Sequence, residues 1–210
     1  MSTFKAVIWD FGGVISSSPF DAFGRYEAEH GLPHGFIRTV NATNPHDNAW
    51  ALMERSEIDP VGFDDIFARE SLALGHEVRG ADVLPLLSGT IRPEMVEALR
   101  RISEQLKTGC ITNNFKAADA SPFSALYKAD IMALFHHVIE SAKIGLRKPD
   151  PRIYRMMTDA LDVDPAHCVY LDDLGINLKP AREMGMRTIK VGEAAPAIDE
   201  LESLLGFALR

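Results

Sequence analysis

Asp10 follows the apolar run Ala6, Val7, Ile8, Trp9 and precedes Phe11, Gly12 and Gly13. A carboxylate in that setting can be a nucleophile, a metal ligand, or both. Three more polar clusters stand at the ends of apolar runs or in turns: Thr112 with Asn113, Lys148, and Asp172 with Asp173. Together they form a coherent chemical set. A carboxylate can attack phosphorus and become an aspartyl-phosphate. Asp10 and Asp173 can hold Mg²⁺ through one or two protein oxygens, leaving positions for water and phosphate. The hydroxyl of Thr112, the amide of Asn113 and the ammonium of Lys148 can take phosphoryl oxygens, over which charge spreads in the transition state. Two adjacent acids repel one another, and a cation between them and Asp10 relieves that repulsion. Each cluster has a plainer alternative when read alone. Asp10 can belong to an ordinary turn, Thr112 can cap a helix, Lys148 can be a solvated loop charge, and Asp172 or Asp173 can cap the helix that follows.

These clusters meet only if the chain places them on one edge of a sheet. The run Ala6 to Trp9 is continuously apolar and rich in β-branched and aromatic residues, as expected of a strand covered on both faces. Gly12 and Gly13 then allow a sharp turn and close approach to a ligand. From about Phe20 to Ser88 no strand pattern is present. The segments Phe20 to His30, Pro33 to Thr43, His46 to Ile58, Pro60 to Leu74 and Ala81 to Leu87 read as helices. Asn44 before Pro45 and Asp59 before Pro60 read as N-caps followed by proline at the first helical position. From Arg92 the pattern alternates. Helices are expected at Pro93 to Lys107, near Ser124 to Leu134, at Pro151 to Leu161, up to Met184, and near Ala197 to Leu205. Strands are expected at Cys110–Ile111, His137 to Glu140, Cys168 to Leu171 and Arg187 to Val191. Repeated βα units give an α/β fold, a doubly wound parallel sheet with helices on both faces. Residues 1–17 and 89–210 read as the core, and 18–88 as a helical domain inserted after the first strand. In such sheets the carboxyl ends of the strands share one ligand-binding edge.

The chain has 210 residues, 46% hydrophobic and 25% charged, with a formal net charge of −8. That charge disfavours nucleic acid and anionic membranes as partners, since polyphosphate surfaces select basic faces. It leaves a small phosphorylated metabolite possible, because such a ligand needs only local positive charge. No segment reads as a signal peptide or a membrane span, so a cytoplasmic location is expected. Cys110 and Cys168 fall in or beside apolar strands and read as small core residues, not as a disulfide or a metal site. Oligomeric state leaves no mark in the sequence.

The stretches VIWDFGGVI, CITNN, GLRKPDPRIY and VYLDDLGINLKPAREMGM occur in this order and span nearly the whole chain. Through them the chain resembles the haloacid dehalogenase-like hydrolases, and among these the phosphatases related to the amino-terminal domain of soluble epoxide hydrolase. The resemblance implies a Rossmann-like core with a helical cap of the family's first type. It implies Asp10 as nucleophile and Mg²⁺ ligand, with the Gly12 carbonyl as a further ligand. It implies Thr112 and Asn113 on the phosphoryl group, and Lys148 neutralising both phosphate and Asp10. Asp173 would bind the metal directly, and Asp172 through water or a hydrogen bond. Asn177 would contact the phosphate or support the acidic pair.

The chain departs from the family at Gly12, where most of its phosphatases carry an Asp that protonates the leaving group and then activates water. A positioned acid or base is worth roughly 10²–10⁴-fold. The expectation is therefore weak turnover of alkyl phosphates, and better turnover of sugar 1-phosphates, aryl phosphates and acyl phosphates, whose leaving groups need little protonation. His46, Asp47 and Glu54 of the helical segment are candidate substitutes. Two other readings stand beside the phosphatase. One is a 2-haloacid dehalogenase acting through Asp10; such enzymes need no metal, and Asp172 and Asp173 argue against it. The other is a weak or inactive phosphate-binding protein, which Gly12 favours.

Overall fold

The computed structural model describes residues 3–114 and 129–210. Strand β1 (Ala6–Trp9) leads into the helices α1 (Phe20–Glu29), α2 (Phe36–Ala42), α3 (Ala49–Glu54), α4 (Pro60–Ala73) and α5 (Gly80–Val83), and a 3₁₀ turn at Leu84–Leu87. Then follow α6 (Pro93–Ser103), β2 (Lys107–Thr112), β3 (His137–Glu140) and the short α7 (Ser141–Ile144). The chain closes with α8 (Pro151–Leu161), β4 (Cys168–Asp172), α9 (Gly175–Glu183), β5 (Arg187–Lys190) and α10 (Ala194–Leu205).

The strands form one parallel sheet in the order β3-β2-β1-β4-β5. All four residues of β1 are buried, as its central place and two covered faces require. Alternate side chains divide between two layers, following the period of two. Val7, Trp9, Cys110, Val169 and Leu171 pack with Met95 and Leu99 of α6 and Ile198 and Leu201 of α10. Ala6, Ile8, Ile111 and Tyr170 pack with Ile153, Tyr154 and Met157 of α8 and Leu178 of α9. The helical segment between β1 and β2 has its own apolar cluster, built around Ile37, Trp50, Phe63 and Phe67. Its two connections to the sheet run side by side. Ser17 N donates to Thr90 O (2.8 Å) and Arg92 N to Ile15 O (2.9 Å).

Several element ends differ from the sequence reading, each for a local reason. Helix α3 starts at Ala49, not His46, and its N-cap is Asn48, whose side chain accepts from Ala51 N. Asn44 instead takes a left-handed conformation, φ 49°. The Asn48 amide donates to Asn41 O and Thr43 O, which ties down the preceding turn. Helix α2 begins at Phe36, after Gly35 at φ 76°. Helix α6 stops at Ser103 because Lys107 already pairs with Ala6 in the sheet. Helix α10 begins at Ala194, three residues before the expected start. The helix expected near Ser124 to Leu134 lies partly outside the described residues; 129–132 are helical. Asp59 caps α4 as expected, accepting from Gly62 N (2.8 Å). Cys110 and Cys168 are both buried, and no disulfide joins them. Among the described residues no helix is long and apolar enough to cross a membrane.

Ile8 is fully buried in β1, whereas Leu72 on α4 is 57% exposed. Ile8→Ala is expected to destabilise the protein by about 2–5 kcal/mol, and Leu72→Ala by less than about 0.5 kcal/mol. Urea denaturation of the two variants checks the contrast.

Candidate active site

The register of the sheet makes the site. Trp9 pairs with Leu171, and Asp10 N donates to Leu171 O (2.8 Å), so Asp10 and Asp172 stand level on neighbouring parallel strands. Side chains two apart on a strand share a face. Asp172 therefore sits above Tyr170, whose hydroxyl donates to Asp172 Oδ2 (2.5 Å). Lys148, in the connection before α8, reaches the same level. Its Nζ lies 2.8 Å from Asp10 Oδ2 and 2.8 Å from Asp172 Oδ2. The Lys148 residue is only 1% exposed, so this ammonium exchanges water for two carboxylates.

Asp172 is saturated. Besides Lys148 and Tyr170 it accepts from Leu174 N (2.9 Å) and from Asn177 Nδ2 at 3.0 and 3.1 Å. Asn177 in turn is held by α9, and its carbonyl accepts from the Tyr154 hydroxyl (2.7 Å). Asp173 is freer. It accepts from Ser18 Oγ (3.2 Å), at the start of the helical segment. Asp10 Oδ1 accepts from Phe11 N (2.7 Å). One oxygen from each of Asp10, Asp172 and Asp173 lies within 4.8 Å of the others. Gly13, at φ 74°, lies so close that a Cβ there would overlap the Asp173 carboxylate. A Cβ at Gly12 would meet nothing within 4 Å.

Asn113 shares the face of Asp10 and brackets the Lys148 backbone. Its Oδ1 accepts from Lys148 N (2.9 Å) and its Nδ2 donates to Lys148 O (3.1 Å). The second Nδ2 hydrogen goes to Glu54 Oε2 (3.1 Å). Thr112 is buried at the end of β2, and its hydroxyl makes no hydrogen bond among the described residues. Of the three candidate groups in the helical segment, His46 and Asp47 are exposed. Glu54 alone touches core side chains, pairing also with Arg147 Nε (2.6 Å).

The electrostatics follow from burial. Burial raises the Asp10 carboxyl well above its usual range, and Asp172 and Asp173 add to that; Lys148 opposes it. Lys148 stays protonated because Asp10 and Asp172 outweigh the burial that disfavours its charge. Asp173 is pushed up to about 6, by burial first and by Asp172 second. Fully ionised, three carboxylates and one ammonium leave two negative charges, the complement of a divalent cation. Hard oxygen donors from one or two carboxylates, with room for water and phosphate, are what Mg²⁺ takes. The donor set present therefore fits such an ion.

Sequence reasoning missed Ser18, Tyr170 and Arg147. Tyr170 carried a usable signal, two positions before Asp172 on a strand. Ser18 and Arg147 carried none that sets them apart, since their partners lie far away in the chain.

The haloacid dehalogenase-like hydrolase family matches residues 4–185. The chain belongs to this family. Bifunctional epoxide hydrolase 2 of Sus scrofa is 31% identical over 98% of the chain, which spans 39% of that protein. Phosphatase MT3486 of Mycobacterium tuberculosis is 35% identical over 68% of the chain and 66% of its own length. In three dimensions the chain is similar to a haloacid dehalogenase family enzyme from Bacteroides thetaiotaomicron, with a TM-score of 0.58 and 18% identity. That alignment covers 91% of this chain and 96% of the other, whose structure is a complex with magnesium and inorganic phosphate. At this identity the likeness bears on the fold, which is the family's parallel α/β sheet.

Asp10 and Asp173 both titrate above the carboxylate range when folded without a cation. A raised folded pKa means a stability contribution that is full below the unfolded value, near 3.8, and is lost as pH rises through the folded one. In EDTA the protein is expected to lose stability from pH 4.5 to 7, with a shallower slope in Asp173→Asn. Urea midpoints across that range check both expectations; an identical slope in the variant would exclude Asp173 as the source.

Proposed function

We propose that this haloacid dehalogenase-like hydrolase is a phosphatase of a small phosphorylated metabolite, working through an aspartyl-phosphate on Asp10. The observation that carries the reading is the buried Lys148 ammonium held 2.8 Å from Asp10, beside a second acid, Asp173, that is not saturated. The mycobacterial relative bears the name phosphatase, which supports the same reading.

An Asp10 oxygen attacks phosphorus, the bond from phosphorus to the leaving oxygen breaks, and the leaving group takes a proton from solvent. Water then attacks phosphorus, the bond from phosphorus to the Asp10 oxygen breaks, the water's proton departs to solvent, and phosphate and free Asp10 are regenerated. Lys148 holds the Asp10 charge before attack and faces the phosphoryl oxygens afterwards. The Asn113 side-chain amide, expected from the sequence to take a phosphoryl oxygen, is instead committed to Glu54 and the Lys148 backbone, so Thr112 and the Asn113 main chain, at the end of β2, supply the further donors at this edge. Asn177 keeps Asp172 fixed, and Asp172 keeps Lys148 in place. Asp10, Asp173 and the Gly12 carbonyl would hold Mg²⁺ directly and Asp172 through water or a hydrogen bond, and the ion would supply charge neutralisation and orientation of the phosphoryl group. Residues 18–88 act as a cap over the core formed by 1–17 and 89–210.

A 2-haloacid dehalogenase would share Asp10 as nucleophile but leaves Asp173 without a task, so the acidic cluster favours the phosphatase. A panel of phosphate monoesters assayed with Mg²⁺ and with EDTA tests the reading. Turnover that requires Mg²⁺ and vanishes in Asp10→Asn is expected. Activity at background across the panel would contradict it and favour a phosphate-binding protein.

The open space at Gly12 gives a sharper test. Gly12→Asp introduces a carboxylate at a position where a Cβ meets nothing within 4 Å. It is expected to raise kcat on an alkyl phosphate by up to about 10²-fold, and to change kcat on an aryl phosphate much less, because that leaving group departs unaided. An equal change on both substrates would mean that another group already serves as the acid.

A further inference from the structure

Glu54 is the last residue of α3, in the helical segment, yet its partners belong to the core. Its Oε2 accepts from Arg147 Nε (2.6 Å) and from Asn113 Nδ2 (3.1 Å). The Glu54 side chain is only 15% exposed. Arg147 makes a second bond to the same segment, donating to Pro45 O (2.8 Å). Close by, Ser56 Oγ donates to Ala142 O (3.0 Å), at α7. The end of α3 is thus tied to the core at several points.

The Asn113 amide gives this tie its chemical weight. Its oxygen and one of its two N–H groups are taken by the Lys148 backbone, and the other N–H by Glu54. An amide has two donors, so Asn113 is fully used and its orientation is fixed by both neighbours. Lys148 then carries the ammonium that meets Asp10. A chain of contacts therefore runs from the helical segment through Glu54, Asn113 and Lys148 to the nucleophile. The Arg147 partner is what makes a carboxylate tolerable here. Burial raises the Glu54 carboxyl above its usual range, and the adjacent Arg147 guanidinium offsets that only in part. Both Arg147 and Asn113 donate to it, so in this arrangement Glu54 is a hydrogen-bond acceptor.

We propose that Glu54 and Arg147 form a clasp that locks the helical segment onto the phosphoryl edge and, through Asn113, holds Lys148 in line with Asp10. Glu54 is then a positioning residue. This inference rests on the phosphatase reading for its kinetic consequence only; its structural consequence can be read without any turnover.

The test uses Glu54→Ala, Glu54→Gln, Arg147→Ala and the double variant Glu54→Ala with Arg147→Ala. Hydrogen exchange is followed at the Lys148 amide, which donates to Asn113 Oδ1. Exchange there is expected to speed up about 10-fold or more in Glu54→Ala, with the melting temperature of the core little changed. A charge-assisted hydrogen bond carries this order of effect. On p-nitrophenyl phosphate with Mg²⁺, kcat should fall about 10–100-fold in Glu54→Ala while KM changes less. Glu54→Gln, which keeps an acceptor for Asn113, should recover most of the loss. The double variant should be no worse than Glu54→Ala alone, because both singles break one clasp. Unchanged Lys148 exchange in Glu54→Ala overturns the clasp, as does additive loss in the double variant. If Glu54→Ala does not fold, Arg147→Ala carries the same comparison, with Glu54→Gln as the variant that keeps the acceptor. Faster Lys148 exchange in a protein without phosphatase activity would uphold the clasp and overturn the phosphatase; normal activity with an unresponsive Lys148 amide would do the reverse.

Discussion

Lys148 carries its ammonium to a place only 1% exposed, and two carboxylates meet it there. A buried charge is tolerated only when paired and hydrogen-bonded. The three groups are therefore mutually dependent. Without Lys148, Asp10 and Asp172 would face each other at close range in a low dielectric. Without Asp172, the ammonium would sit on Asp10 alone and lose one of its anchors. Tyr170, Asn177 and Leu174 N complete the arrangement by saturating Asp172, which turns that acid into a support and leaves Asp10 and Asp173 as the groups available for chemistry.

The sheet provides the precision. Neighbouring parallel strands in one register place same-level side chains about 4.8 Å apart, and β1 and β4 put Asp10 and Asp172 at one level. The apolar side chains below them, Ile8 and Tyr170, are fully buried between β1, β4 and α8. Because that layer is closely packed, the acids at its end have little freedom to move apart. Burial raises the Asp10 and Asp173 carboxyls first, and the neighbouring acids held in place by that layer add to it; protons or a cation relieve both.

Much of this was legible in the sequence. Apolar runs that end abruptly in polar residues marked Asp10, Thr112 and Asp172, since strands of a doubly wound sheet end at a shared edge. The alternation of helix and strand after Arg92 marked a parallel α/β sheet but not its strand order, which the pairing in the structure supplies. Element ends were less legible where tertiary contacts decide them: Lys107 leaves its helix to pair with Ala6, and Asn48 displaces Asn44 as the cap of α3. The choice among His46, Asp47 and Glu54 was not legible either. All three lie in one short stretch, and only packing against Asn113 and Arg147 separates Glu54 from its exposed neighbours. Ser18 reads as part of a polar turn until the fold brings it to Asp173, 155 residues away in the chain.

Asp10 is proposed as the phosphoryl acceptor. Its direct test is a rapid acid quench during turnover of a phosphate monoester, followed by borohydride reduction and peptide mapping. Reduction of an acyl phosphate converts the aspartate that bore it to homoserine. Homoserine is expected to replace aspartate at position 10 alone, and only when substrate was present. Conversion at another aspartate, or none under conditions where turnover proceeds, would contradict it.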